Sequence, residues 1–164
     1  TLIVVTADHE TGGMALGNSD YTLNLKVLAE QKCSSDLLSD QLSALQKEAG
    51  KHLTWEQVKE VISKNTGLYT VVEISKEEDQ LLQAAFGQMM QHQGVEKSLY
   101  KDINALASKA LALLNQKSRL GWTSKGHTAS AVPVFAIGVG AERFTGWHDN
   151  SEIAPLIYEA TQSY

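Results

Sequence analysis

Two histidines and an aspartate carry the clearest chemistry in this chain. Asp8 and His9 stand side by side in Thr1–Gly13, TLIVVTADHETGG, directly after the apolar run Leu2–Val5 and before the pair Gly12–Gly13. His127 lies far along the chain in Gly126-His127-Thr128, ahead of a second apolar run, Val132–Val139. Carboxylate oxygen and imidazole nitrogen are good zinc ligands, whereas calcium and magnesium prefer shells made wholly of oxygen. An isolated Asp-His pair is more often a turn cap beside a satisfied polar residue. Its place after a strand end weighs toward a site, because ligands in open α/β sheets sit outside the carboxyl ends of strands.

The elements that must position these residues follow from pattern. Leu2–Val5 and Val132–Val139 are continuous apolar runs bounded by turn signals, which predict strands buried on both faces, as in parallel sheets. If both belong to one sheet, Asp8, His9 and His127 converge. Tyr21–Ala29 alternates apolar and polar residues and predicts a half-buried strand, with Met14–Leu16 as its hairpin partner across the turn cluster Asn18-Ser19-Asp20.

The middle of the chain reads as helix. Ser34 or Ser35 caps a helix that ends at Gly50, with Leu38, Leu42 and Leu45 on one face. Thr54 with Gln57, and Ser75 with Glu78, are capping-box signatures for two more. Lys97–Lys117 carries the longest helical pattern, through Leu99, Ile103, Leu106, Ala110, Leu113 and Leu114. Asn150 is placed to cap a last helix. The predicted fold class is α/β: a sheet with helices, carrying a largely helical insertion over 34–118 within one unit, 1–164.

Composition narrows the classes. The chain has 164 residues, 43% hydrophobic and 20% charged, an ordinary globular balance. A net charge of -5 argues against nonspecific nucleic-acid binding. No apolar run approaches the roughly 20 residues of a membrane span. Cys33 is the only cysteine, so neither an internal disulfide nor a thiolate metal cluster can form. His52 and His92 read as surface or packing residues. His148 could flank the site, and Trp55, Trp122 and Trp147 read as packing.

The segments VVTADHETGG and GWTSKGHTASAVPVFAIGVGAERFTGWHDNSEIAPLI together resemble the alkaline phosphatase family. The first matches its strand ending in Asp-His. The second matches its Gly-His-Thr loop, Val-Pro-Val strand and Asn before the final helix. The resemblance covers the two ends of the chain and implies an alkaline-phosphatase-like sheet sandwiched by helices. It also implies a phosphomonoesterase with two zinc ions and one magnesium. Asp8 and His9 would ligate the zinc that activates a serine nucleophile, and His127 the zinc that binds substrate. The family's Asp-Ser-Ala nucleophile motif, its remaining ligands and its phosphate-gripping Arg have no match here. They are expected upstream of Thr1 in the same polypeptide, so the chain is expected to be a C-terminal portion, inactive alone. The resemblance further implies a periplasmic or secreted enzyme and leaves a homodimer open. The alternatives are a non-catalytic binding module on an α/β scaffold, and a fragment of a related sulfatase or phosphodiesterase.

Overall fold

The computed structural model describes residues 1–17, 21–97 and 101–162. Along the chain run β1 (Leu2–Val5), β2 (Glu10–Thr11), β3 (Met14–Leu16), α1 (Leu25–Leu28), α2 (Ser35–Ala49), α3 (Trp55–Thr66) and α4 (Lys76–Met90). Then come β4 (Val95–Glu96), β5 (Ile103–Asn104), α5 (Ala105–Lys117), β6 (Leu120–Trp122), β7 (His127–Thr128), β8 (Phe135–Gly138) and α6 (Ile153–Gln162). Helices and strands mix as the α/β class requires. The chain divides into two compact units, Thr1–Met14 with Trp122–Tyr164, and Ala15–Gly121.

The unit Ala15–Gly121 is built from helices that start where capping chemistry says they should. Ser34 Oγ accepts from the Leu37 amide. Thr54 with Gln57, and Ser75 with Glu78, form complete capping boxes. Helix α5 is apolar on most of its surface and lies centrally, burying Leu106, Ala110, Leu113 and Leu114 among others. Leu38 and Leu42 of α2, Val58 and Ile62 of α3, and Leu82, Ala85 and Met89 of α4 complete that core.

Three local expectations give way here. Tyr21–Ala29 contains the short helix α1 rather than a strand, and β3 is hydrogen-bonded to β6 instead. Leu28 occupies what should be a polar slot, so the alternation was never strict, and Leu and Lys favour helix. Helix α5 begins at Ala105, not Lys97, because the Asn104 side chain accepts from the Leu106 amide and caps it there. Leu99 and the turn cluster Asn18-Ser19-Asp20 lie outside the described residues.

In the other unit, β1 pairs antiparallel with β8, in the register Leu2–Gly138, Ile3–Ile137, Val4–Ala136 and Val5–Phe135. The expectation of a strand buried on both faces does not hold within this chain. Ile3, Val5, Phe135 and Ile137 are each more than half exposed and share one face of the ribbon. A run of aliphatic residues shows that a strand can be buried, not that a layer covers it. Asp149, not Asn150, caps the turn leading into α6: its Oδ1 accepts from the Ser151 amide, and Glu152 Oε2 accepts from the Asp149 amide.

Glu78 ties α4 to α5. Lys117 Nζ lies 2.7 Å from Glu78 Oε2, with both side chains less than a third exposed. Burial pushes the Glu78 carboxyl up, but hydrogen bonds from Lys117 and the Ser75 amide outweigh it and hold the group below its ordinary value. A depressed folded-state pKa adds stability above the unfolded value of about 4.3 and loses it as pH falls through the folded value. Lys117→Met is expected to cost about 1–2 kcal/mol at pH 7. In urea unfolding, its gap from wild type should shrink as the pH falls through the acid range.

Candidate metal centre

The candidate residues sit together in the unit Thr1–Met14 with Trp122–Tyr164. Thr6 Oγ1 donates to the Pro133 carbonyl at 3.1 Å, joining the end of β1 to the segment before β8. Beyond it, β2 and β7 pair antiparallel, Glu10 opposite Thr128 and Thr11 opposite His127. This pairing lays the His9 ring on the His127 ring, with centroids 3.5 Å apart and planes 26° from parallel.

The polar contacts of His9 favour one tautomer. Nδ1 lies 3.1 Å from the Glu10 carbonyl oxygen, which can only accept, so Nδ1 carries a hydrogen. That leaves Nε2 facing Asp8 Oδ2 at 3.3 Å. Two lone pairs so placed repel unless a positive centre lies between them, either a second ring proton or a metal ion. A tetrahedron with bonds of about 2.0–2.1 Å has edges of about 3.3–3.4 Å, so the Asp8–His9 spacing suits two ligands of one zinc. The Nδ1 contact to a carbonyl is also the usual outer support of a metal-binding histidine. Asp8 Oδ1 accepts from the His9 amide at 3.1 Å, and the Asn150 side chain donates to the Asp8 carbonyl at 3.4 Å.

Among the described residues, no three His, Cys, Asp or Glu side chains gather at a point that could hold a metal ion. The donor set is thus of the right chemistry for zinc but short of a full shell, which normally takes three protein ligands at a catalytic site.

A cleft of about 690 Å³ opens beside these residues, lined by Asp8, His9, Thr128, Trp147, His148 and Asn150 among others. His148 reaches this lining, but its Nε2 is held by the Thr145 carbonyl at 3.1 Å. Thr11 Oγ1 lies 3.4 Å from His9 Nδ1. It is not thereby an activated nucleophile, because Nδ1 already bears the proton given to Glu10. His52 and His92 belong to the other unit and are exposed.

Two participants escaped the motif reading. Glu10 Oε1 and Oε2 accept from the Gly13 amide at 2.9 and 3.0 Å, and Thr128 Oγ1 donates to Oε2. The Thr128 bond, with main-chain bonds from Gly13, Met14 and Thr11, holds the Glu10 carboxyl below its ordinary range against the opposing effect of desolvation. The available signal was position alone: Glu10 follows His9, and Thr128 follows His127.

A family model described as alkaline phosphatase matches residues 1–163. The chain belongs to the alkaline phosphatase family. It is 29% identical to Alkaline phosphatase 4 of Bacillus subtilis (strain 168) over 160 residues, covering 97% of this chain and 29% of that protein. It is also 29% identical to Alkaline phosphatase 3 of the same organism over 164 residues, 99% of this chain and 30% of that one. The crystal structure of a cold-active alkaline phosphatase from a psychrophilic Shewanella sp. matches with a TM-score of 0.67 and 26% identity, over 97% of this chain and 33% of that one. The chain therefore spans about a third or less of the length of these family members.

Gly12 holds the loop that carries this geometry. Its φ is +84°, and an added Cβ would lie 2.7 Å from the Trp122 ring. Its amide donates to the Gly126 carbonyl, and its carbonyl accepts from the Thr123 and Ser124 amides. The left-handed backbone alone should make Gly12→Ala cost about 1–2 kcal/mol. Hydrogen exchange at the Thr123 and Ser124 amides should quicken by roughly 5–30-fold.

Proposed function

We propose that this chain is the C-terminal portion of a metal-dependent phosphomonoesterase and contributes zinc ligands to its site. Asp8 and His9 hold one zinc, and His127 holds the second. The nucleophile, the magnesium ligands and the remaining zinc ligands come from an upstream part of the same polypeptide. The observation that carries this reading is the stacked His9–His127 pair, with His9 Nε2 turned to the Asp8 carboxylate by the Nδ1 bond to Glu10. Family membership supplies the reaction class.

Zinc bound by these residues would supply positive charge for the phosphoryl oxygens and the leaving group. The chain's own residues orient and support. The β2–β7 pairing fixes how far apart the two imidazoles stand. The cleft beside Asp8 and His9 offers room for a phosphomonoester, with Trp147 at its edge. No helix among the described residues is long and apolar enough to cross a membrane. A periplasmic or secreted location belongs to the same reading and rests on family membership alone.

The isolated chain should bind zinc weakly, because neither ion finds a full shell, and should not turn over a chromogenic phosphate ester. A longer polypeptide carrying the upstream part should do so with zinc and magnesium. Asp8→Ala or His127→Ala there should lower turnover by at least about 100-fold, more than the loss of an outer-shell partner typically causes. Metal-dependent turnover by residues 1–164 alone, abolished by His127→Ala, would contradict the reading.

A further inference from the structure

We infer that Glu10 is a positioning residue, whose carboxylate clasps the strand of His127 to the loop of His9 and sets the spacing of the two imidazoles before a metal arrives. The inference rests on the reading of His9 and His127 as zinc ligands. Glu10 acts on both sides of the site at once. Its carbonyl oxygen takes the Nδ1 hydrogen of His9 and turns that ring. Its side chain takes the amide of Gly13, which closes its own loop, and the hydroxyl of Thr128, the neighbour of His127. In sequence, Thr128 is 118 residues away.

Both carboxylate oxygens are engaged by donors from these two segments, and neither oxygen is needed as a ligand. The pairing it reinforces is only two residues long on each strand, Glu10–Thr11 with His127–Thr128. So short a ladder has little hold of its own. A charged acceptor adds a bond roughly twice as strong as a neutral one at the rung beside His127. A surface glutamate serving only its own turn would need Gly13 alone. The contact to Thr128 is what makes Glu10 a clasp.

The test compares Thr128→Val, Thr128→Ser and Glu10→Gln in the full 164-residue chain. Thr128→Val keeps the side-chain shape, removes the donor, and substitutes neither Glu10 nor either histidine. Without metal, cross-relaxation between the His9 and His127 ring protons should fall by half or more in Thr128→Val and partly in Glu10→Gln. Thr128→Ser should restore it. Zinc affinity, measured by competition with a chromogenic chelator, should fall by about 10–100-fold in Thr128→Val, as for other outer-shell partners, and recover in Thr128→Ser. Ring contacts and affinity unchanged by Thr128→Val would overturn the inference. Asp8→Ala separates this from the proposed function. If Asp8→Ala leaves zinc affinity untouched, the ligand reading fails, while the metal-free ring contacts still decide whether Glu10 is a clasp.

Discussion

The site depends on one short antiparallel pairing, Glu10–Thr11 against His127–Thr128. It joins residues more than a hundred positions apart and lays the His9 ring on the His127 ring. Closing a flexible loop of that length is costly in entropy, though the cost grows only slowly with length. Here most of the described intervening chain lies in helices and short strands. Ala15–Gly121 forms a unit with its own core, and β3 is hydrogen-bonded to β6 where the chain enters and leaves it.

The local order that follows comes from polar chemistry rather than burial. Asp8 is largely exposed and His9 is about one-third exposed. Their positions come from a chain of directed bonds: the Asn150 amide to Asp8, the Asp8 carboxylate to its neighbour's amide, the His9 ring to the Glu10 carbonyl, and the Glu10 carboxylate to Thr128. The ribbon that leads into the site contrasts with this. Ile3 and Ile137, and Val5 and Phe135, pair directly across one face and stay more than half exposed. A two-stranded ribbon with a bare apolar face is marginal alone. On the proposed reading, the upstream part of the polypeptide covers it.

Much of the fold was legible from capping and periodicity. Ser34, Thr54 and Ser75 begin helices because each offers an acceptor to an orphan amide, and such local chemistry survives whatever the tertiary context. Tyr21–Ala29 resists a pattern reading because a short stretch of Leu, Val and Ala suits either period. The start of α5 was misplaced because Asn104 caps from inside an apolar pattern. Burial of β1 was misjudged because apolar content does not reveal which layers are present. At the site, Asp8, His9 and His127 stood out by residue type and motif. Glu10 and Thr128 did not, since a glutamate and a threonine next to histidines carry no spacing signal, and only the strand register shows that they face each other.

The most direct measurement of the account is the protonation and metal state of His9 itself. Long-range proton–nitrogen correlation spectra of the chain, recorded without metal and with excess zinc, report each ring nitrogen separately. The account predicts that Nδ1 of His9 stays protonated throughout, held by the Glu10 carbonyl, while the Nε2 resonance moves on adding zinc. It predicts that Asp8→Asn weakens that response. A His9 Nε2 resonance that ignores saturating zinc, or zinc taking Nδ1 in place of its proton, would contradict the assignment of Asp8 and His9 as ligands of one metal ion.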